Sequence, residues 1–168
     1  KKLMNIVASS PQGLEDQLAR EILALGAENI KVKRRFVSFK CNYEIFFKIH
    51  FYSRIAFRFY REVARFSCFD KESLYKRAQS SFDWVKWLPP SKSFCVQVTG
   101  RSRLLNHSHF NALQVKNSIV DLQKSIFGQR STISIDQPDL VVHLHLKDDE
   151  AILSLQSTAG SLHKRGYK

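Results

Sequence analysis

Cysteine is scarce in this chain, and its spacing encodes no bridge. Cys41, Cys68 and Cys95 are odd in number and none stands in a C-x-x-C pair. They read as free, buried thiols of a reducing compartment, which favours a cytoplasmic protein. Acidic residues are also few: 15 Asp+Glu face 27 Lys+Arg, for a net charge of +12 and a pI near 9.9. Such a balance predicts attraction to polyanions without saying which. No apolar run approaches the length of a membrane span, and no signal-peptide pattern opens the chain, so no membrane partner is expected. Catalytic signatures are missing too. There is no P-loop, no G-x-G-x-x-G after a strand and no G-x-S-x-G. His107-Ser108-His109 and His143-Leu144-His145 each bring two imidazoles together, but no third ligand stands nearby, so no metal site is assigned. The sequence does have apolar material. Hydrophobic residues make up 43% and phenylalanine occurs thirteen times in 168 residues, enough for a real core and against disorder.

The hydrophobic periods alternate between those of strands and helices. Leu3 to Ser9 reads as a strand, Pro11 and Gly13 as a turn, and Leu14, Leu18, Ile22 and Leu25 as a helical stripe ending at Gly26. Ile30 and Val32 begin a second strand. Val37, Phe39 and Cys41 share one face of a third, and Asn42 can cap a helix running through Phe46, Phe47, His50 and Phe51. Ile55, Phe57 and Phe59 alternate in a fourth strand. The order β-α-β-β-α-β is that of a split βαβ, or ferredoxin-like, unit. Asp70 can cap a helix over Lys71–Ser80, after which Phe82, Trp84, Val85, Trp87 and Leu88 form an apolar cluster closed by Pro89-Pro90. Further strands are expected at Phe94–Thr99, Thr132–Ile135, Leu140–Leu146 and Ala151–Leu155, which gives an α+β chain with a mixed sheet and packed helices.

The most informative stretch runs from Ser93 to Gly128. Strand Phe94–Thr99 is followed by the loop Gly100-Arg101-Ser102-Arg103 and by a helix from His109, whose stripe is Ala112, Val115, Ile119, Leu122 and Ile126. Arg101 and Arg103, with Asn106, His107 and His109, lie at the helix N-terminus, where free N–H groups and the macrodipole favour an anion. Lys116 falls inside the apolar sector. It is either a snorkelling chain at the core edge or a charge aimed at a ligand. Charge is also concentrated earlier. Between Lys31 and Arg65 ten basic residues face only Glu44 and Glu62, which is +8 of the total +12. There Arg54, Arg58, Arg61 and Arg65 interleave with aromatic rings, a pattern suited to a nucleic-acid surface.

Several stretches carry a closer resemblance: ASSPQGLEDQLAREILALGAENIKV, YSRIAFRF, LYKRA, FCVQVTG, VKNSIVD, DQPDLVVHLHL and LSLQSTAGSLHKRGYK. Together they resemble, in the same order, the N-terminal region of a family of SAM-dependent RNA methyltransferases that carry a THUMP domain. The resemblance implies a ferredoxin-like domain over residues 1–67, a THUMP domain over 68–163, and at 164–168 the start of a linker to a methyltransferase domain not in this sequence. It implies binding of structured RNA, ribosomal rather than transfer RNA, on behalf of that domain. SAM is expected there and no cofactor here, and no catalytic residue is assigned in this chain. The nearest resemblance is to enzymes that modify the guanine exocyclic amine of large-subunit rRNA. Where relatives usually carry Asp, this chain has Gln156, and Asn117-Ser118 replaces an Asp-Ala.

Local charge, rather than the resemblance, nominates the contact residues. They are Arg101, Arg103, Lys116 and Arg130 in the second half, Lys164 and Arg165 near the end, and Lys33, Arg34 and Arg35 in the first half. The rival readings are the THUMP module of a tRNA-modifying enzyme, a self-contained enzyme, and a protein-interaction module without RNA binding.

Overall fold

The computed structural model describes residues 2–158. Its chain forms two compact units: one takes the described residues as far as Glu62 and again from Gln156, and the other takes Val63–Leu155.

In the first unit, β1 (Met4–Ser9), α1 (Glu15–Ala24), β2 (Glu28–Lys33), β3 (Phe36–Cys41), α2 (Tyr43–Tyr52) and the start of β4 (Arg58–Ser67), as far as Glu62, follow in chain order. The strands lie in the order β2-β3-β1-β4, with β3 antiparallel to both β1 and β2, and β1 antiparallel to β4. This is the ferredoxin-like arrangement. Val37, Phe39 and Cys41 point to one face and are buried with Ile6, Leu18 and Ile22, so the period-two and period-3.6 patterns meet in a single core. Asn42 caps α2 by accepting from the Ile45 N–H at 2.8 Å. Burial raises the Cys41 thiol pKa to about 12, which keeps it protonated and inert.

The fourth strand starts later than its alternation suggests. Ile55 to Phe57 form no strand, and Phe57 is exposed while Ala56 is buried. The cause is Glu21 of α1. Its carboxylate accepts from Ser53 Oγ at 2.5 Å and from the Arg54 N–H at 3.2 Å, while Ser53 Oγ accepts from the Ala56 N–H at 3.1 Å. These bonds fix a turn where the sequence shows only an alternating apolar pattern.

In the second unit, α3 (Lys71–Ser80), the short α4 (Trp84–Trp87), β5 (Phe94–Arg101), α5 (Ser108–Phe127), β6 (Leu140–Lys147) and β7 (Glu150–Thr158), as far as Leu155, follow the end of β4. Strand order is β7-β6-β5, and β5 and β6 are parallel. Asp70 and Ser73 close a reciprocal capping box on α3. Trp84 is fully buried and its indole N–H donates to the Ala78 carbonyl at 2.7 Å, so it belongs to the core. Trp87 remains largely exposed, with the Lys86 ammonium 5.3 Å from its ring centroid.

Helix α5 departs from its apolar stripe. Val115, Ile119 and Val120 are buried, but Ile126 is exposed and Gln123 is fully buried in its place. The Gln123 amide donates to the Leu88 carbonyl at 2.9 Å and to Ser131 Oγ at 2.8 Å, and its oxygen accepts from the Ser131 N–H at 2.9 Å. A buried amide with three partners loses little by leaving water, and it ties two loops to the helix. Gly128 ends α5 at φ +71°, the left-handed cap its position suggests. The expected strand Thr132–Ile135 reduces to one bridge between Ile133 and Phe94, and Ile135 is exposed.

Candidate nucleic-acid interface

Strand β5 extends two residues past its apolar alternation, through Gly100, which pairs with Leu146, and Arg101, which pairs with Lys147. Arg101 is therefore held at the end of a parallel ladder and does not lie on a free loop. Beyond it the chain folds around Leu105, which is buried. The Ser102 N–H donates to the Leu105 carbonyl at 3.3 Å, and Ser102 Oγ accepts from the Leu105 N–H at 3.2 Å. From the first turn of α5, the buried Asn111 amide donates to the same carbonyl at 3.1 Å. With Leu105 anchored inward, Arg101, Ser102, Arg103 and Asn106 line an open hollow of about 420 Å³.

The electrostatics of this hollow have one sign. Among the described residues, neither the Arg101 nor the Arg103 guanidinium has a hydrogen-bond or ion-pair partner. His107 caps α5 without a side-chain hydrogen bond, so the first-turn N–H groups add their partial positive charge at the same end. By contrast, Arg65, one of the arginines interleaved with aromatics, is paired with Glu150 at 2.7 Å.

The remaining nominated residues are spread out. Lys116 lies eight residues into α5 from Ser108, about 12 Å along the axis at 1.5 Å per residue, and is half-buried. Arg130 follows the far end of α5, a 20-residue helix about 30 Å long, and its Nε donates to the Ser131 carbonyl at 3.2 Å. It does not belong to the hollow. Lys33, Arg34 and Arg35 are in the first unit, at the tight turn between β2 and β3. Arg35 sits at φ +67° with its N–H donating to Glu15 Oε2 at 2.8 Å and its carbonyl accepting from the Ser10 N–H at 2.8 Å. The bond from the Arg35 N–H is the main reason the Glu15 carboxyl titrates below its usual range. Lys164 and Arg165 lie outside the described residues.

Asn111 is not among the nominated residues. A buried asparagine one turn into a helix carries no sequence signal, because its role depends on where the Leu105 carbonyl falls.

Lys116 offers a clean test of its two readings. Lys116→Met keeps the apolar stem, so a snorkelling lysine tolerates the change. We expect a melting temperature within a few degrees of wild type, about 2–4 °C per kcal/mol at this chain length. Anisotropy with a hairpin RNA then reads the charge: unchanged affinity marks a core-edge lysine, and a severalfold loss marks a contact.

A titrating group lies on the outer face of the same ladder. Thr99 Oγ1 is 3.1 Å from His143 Nε2 and 2.8 Å from His145 Nδ1. Burial, and then the neighbouring His145, lower the His143 pKa from 6.5 to about 4. Because the folded value lies below the unfolded one, this group's stabilisation is present above pH 6.5 and is lost as pH falls toward 4. Going from pH 7 to 5 should cost wild type on the order of 2 kcal/mol more than it costs His143→Gln. Denaturant melts at the two pH values check this, and equal losses in both proteins would refute it.

The folds of the two units define an α+β protein made of a ferredoxin-like unit and a second unit with a parallel β5–β6 pair and a long helix. Residues 5–60 match the RlmL ferredoxin-like domain, and residues 69–156, more than half of the chain, match the THUMP domain. The chain belongs to the THUMP domain family. It is 38% identical over 161 residues to a Synechocystis sp. protein provisionally named an RNA methyltransferase, covering 96% of this chain and 42% of that protein. It is 37% identical over 161 residues to the ribosomal RNA large subunit methyltransferase K/L of Syntrophotalea carbinolica, covering 96% of this chain and 22% of the relative. The chain thus spans less than half the length of these relatives. Among solved structures, SMU.472, provisionally named a methyltransferase and crystallised with SAH, superposes with TM-score 0.75 at 27% identity, covering 99% of this chain and 45% of that one.

Proposed function

We infer that this chain is an RNA-docking module, with the THUMP part, residues 68–163, holding a folded RNA by its phosphates and the ferredoxin-like part, residues 1–67, adding basic surface at Lys33, Arg34 and Arg35. The observation that carries the reading is the hollow at the end of β5. Two arginines without partners among the described residues are displayed by a loop anchored through Leu105, beside the uncapped start of α5. A loop held this way presents charge at fixed positions, so binding does not have to order it first. Phosphate contacts of this kind set position and orientation while reading no base.

The names of the relatives favour ribosomal over transfer RNA, and a methyl-transferring domain as the partner. SAM belongs to that partner. The described glycines at positive φ are Gly13, Gly26, Gly100 and Gly128. They serve turns, a helix cap and a strand contact. No described helix is long and apolar enough to cross a membrane, and a cytoplasmic site of action accords with three free, buried cysteines. Anisotropy of a labelled hairpin RNA across a salt series tests the reading. Binding should weaken linearly in log–log form, whereas absence of binding at low salt would overturn it.

A further inference from the structure

Residues Phe51 to Arg58 of the first unit show a second kind of surface. Phe51, Tyr52 and Phe57 are 54%, 61% and 60% exposed. Within the same eight residues stand Arg54 and Arg58, both exposed, with the Arg58 guanidinium carbon 5.8 Å from the Phe57 ring centroid. Leaving rings in water forgoes the stabilisation that their burial would supply. A floppy turn would let them fold back onto the core, but this turn is fixed. Glu21 binds Ser53 Oγ and the Arg54 N–H, Ala56 is buried, and the Arg58 N–H donates to Ser9 Oγ at 2.9 Å. The turn is held through Ser53, Arg54, Ala56 and Arg58, and the rings and guanidiniums are what remain outside. Glu21, the acid nearest in this network, is committed to the turn, so the exposed charge here is positive.

Resting on the RNA-docking reading, we propose that Phe51, Tyr52 and Phe57 form a stacking platform for unpaired bases of the bound RNA, with Arg54 and Arg58 neutralising the adjoining phosphates. Charge complementarity selects this occupant. A ring face suits any base, and flanking arginines suit the backbone that joins two bases. An apolar protein surface would instead have to desolvate both guanidiniums without a counter-charge. The platform differs from the hollow at Arg101 and Arg103 in what it reads. The hollow takes phosphates of any folded RNA, while the platform requires bases that are free to unstack.

The test uses the full chain and two labelled probes, a blunt hairpin RNA and a single-stranded oligoadenylate containing 2-aminopurine. The variant is Phe57→Ser with Tyr52→Ser. Both rings are exposed, so its melting temperature should stay close to wild type, and Phe57→Leu provides a variant that keeps apolar bulk without the ring. We expect wild type to quench 2-aminopurine on binding, and the double variant to lose about tenfold or more in affinity for the single strand with little change for the hairpin. Phe57→Leu should show an intermediate loss. Unchanged single-strand affinity overturns the platform and assigns the rings to a protein contact. Equal losses on both probes also overturn it, because a platform for unpaired bases should lose affinity for the single strand selectively. If the hairpin binds and the single strand does not, the platform fails and the RNA-docking reading stands. If neither probe binds wild type, both fail.

Discussion

Replacing Arg101 and Arg103 together with alanine should weaken hairpin RNA binding about ten- to hundredfold at low salt and leave the fold intact. Both side chains are exposed and neither has a partner among the described residues, so their removal strands no buried group. Without these two phosphate-binding groups, the dependence of log K on log salt should also flatten by about 1 to 2 units, at roughly 0.7–0.9 per phosphate. The loss should be similar for hairpins of different sequence, since the hollow presents the Arg101 and Arg103 guanidiniums, groups that suit phosphates. Arg130→Ala is the matched control. It removes the same charge from the opposite end of α5, so it should change affinity less than either hollow arginine. An unchanged slope in the double variant would move the docking face elsewhere, with the basic Lys31–Arg35 stretch as the next candidate.

The largest expected effect on stability comes from Gly100. At φ +73° it adopts a conformation that side chains resist, and a Cβ there would fall on the Leu146 carbonyl, across the parallel ladder. Gly100→Ala must therefore part β5 from β6 where the ladder holds Arg101. We expect a loss of about 2 kcal/mol or more, seen as a fall of about 4–8 °C in melting temperature. RNA affinity should fall as well, because Arg101 leaves its position. Gly128→Ala separates backbone strain from the clash. That glycine has nearly the same φ, +71°, but nothing lies within 4 Å of a Cβ built on it. It should cost about 1 kcal/mol and leave RNA binding unchanged. Similar losses in the two variants would mean that β5 and β6 can absorb the clash, and the ladder would then not be what fixes Arg101.

The sequence makes some of this legible and not the rest, for physical reasons. Strands β1 and β3 and helices α1 and α2 are readable because each buries one face, so periodicity reports directly on the core. Caps at Asn42, Asp70 and Gly128 are readable because the bonding is local, within four residues. Elements fixed by distant partners are not. Alternation at Ile55–Phe59 points to a strand, but a glutamate more than thirty residues earlier turns the chain there, and the strand begins only at Arg58. Gln123 looks like an interruption of an apolar stripe, yet Leu88 and Ser131 make it a buried hub. The same limit applies to the site. Arg101 and Arg103 stand out by charge, while Leu105 and Asn111, which hold them in place, have no signature outside three dimensions.

The central claim is that a folded RNA docks by phosphate contacts at the hollow where β5 meets α5. Titration of the isotopically labelled chain with a hairpin RNA, followed by amide NMR, tests it most directly. The account predicts that the backbone signals of residues 101–110 and the side-chain signals of Arg101 and Arg103 shift first and furthest, with these shifts suppressed by salt. Shifts that leave residues 101–110 untouched while the RNA binds would contradict it.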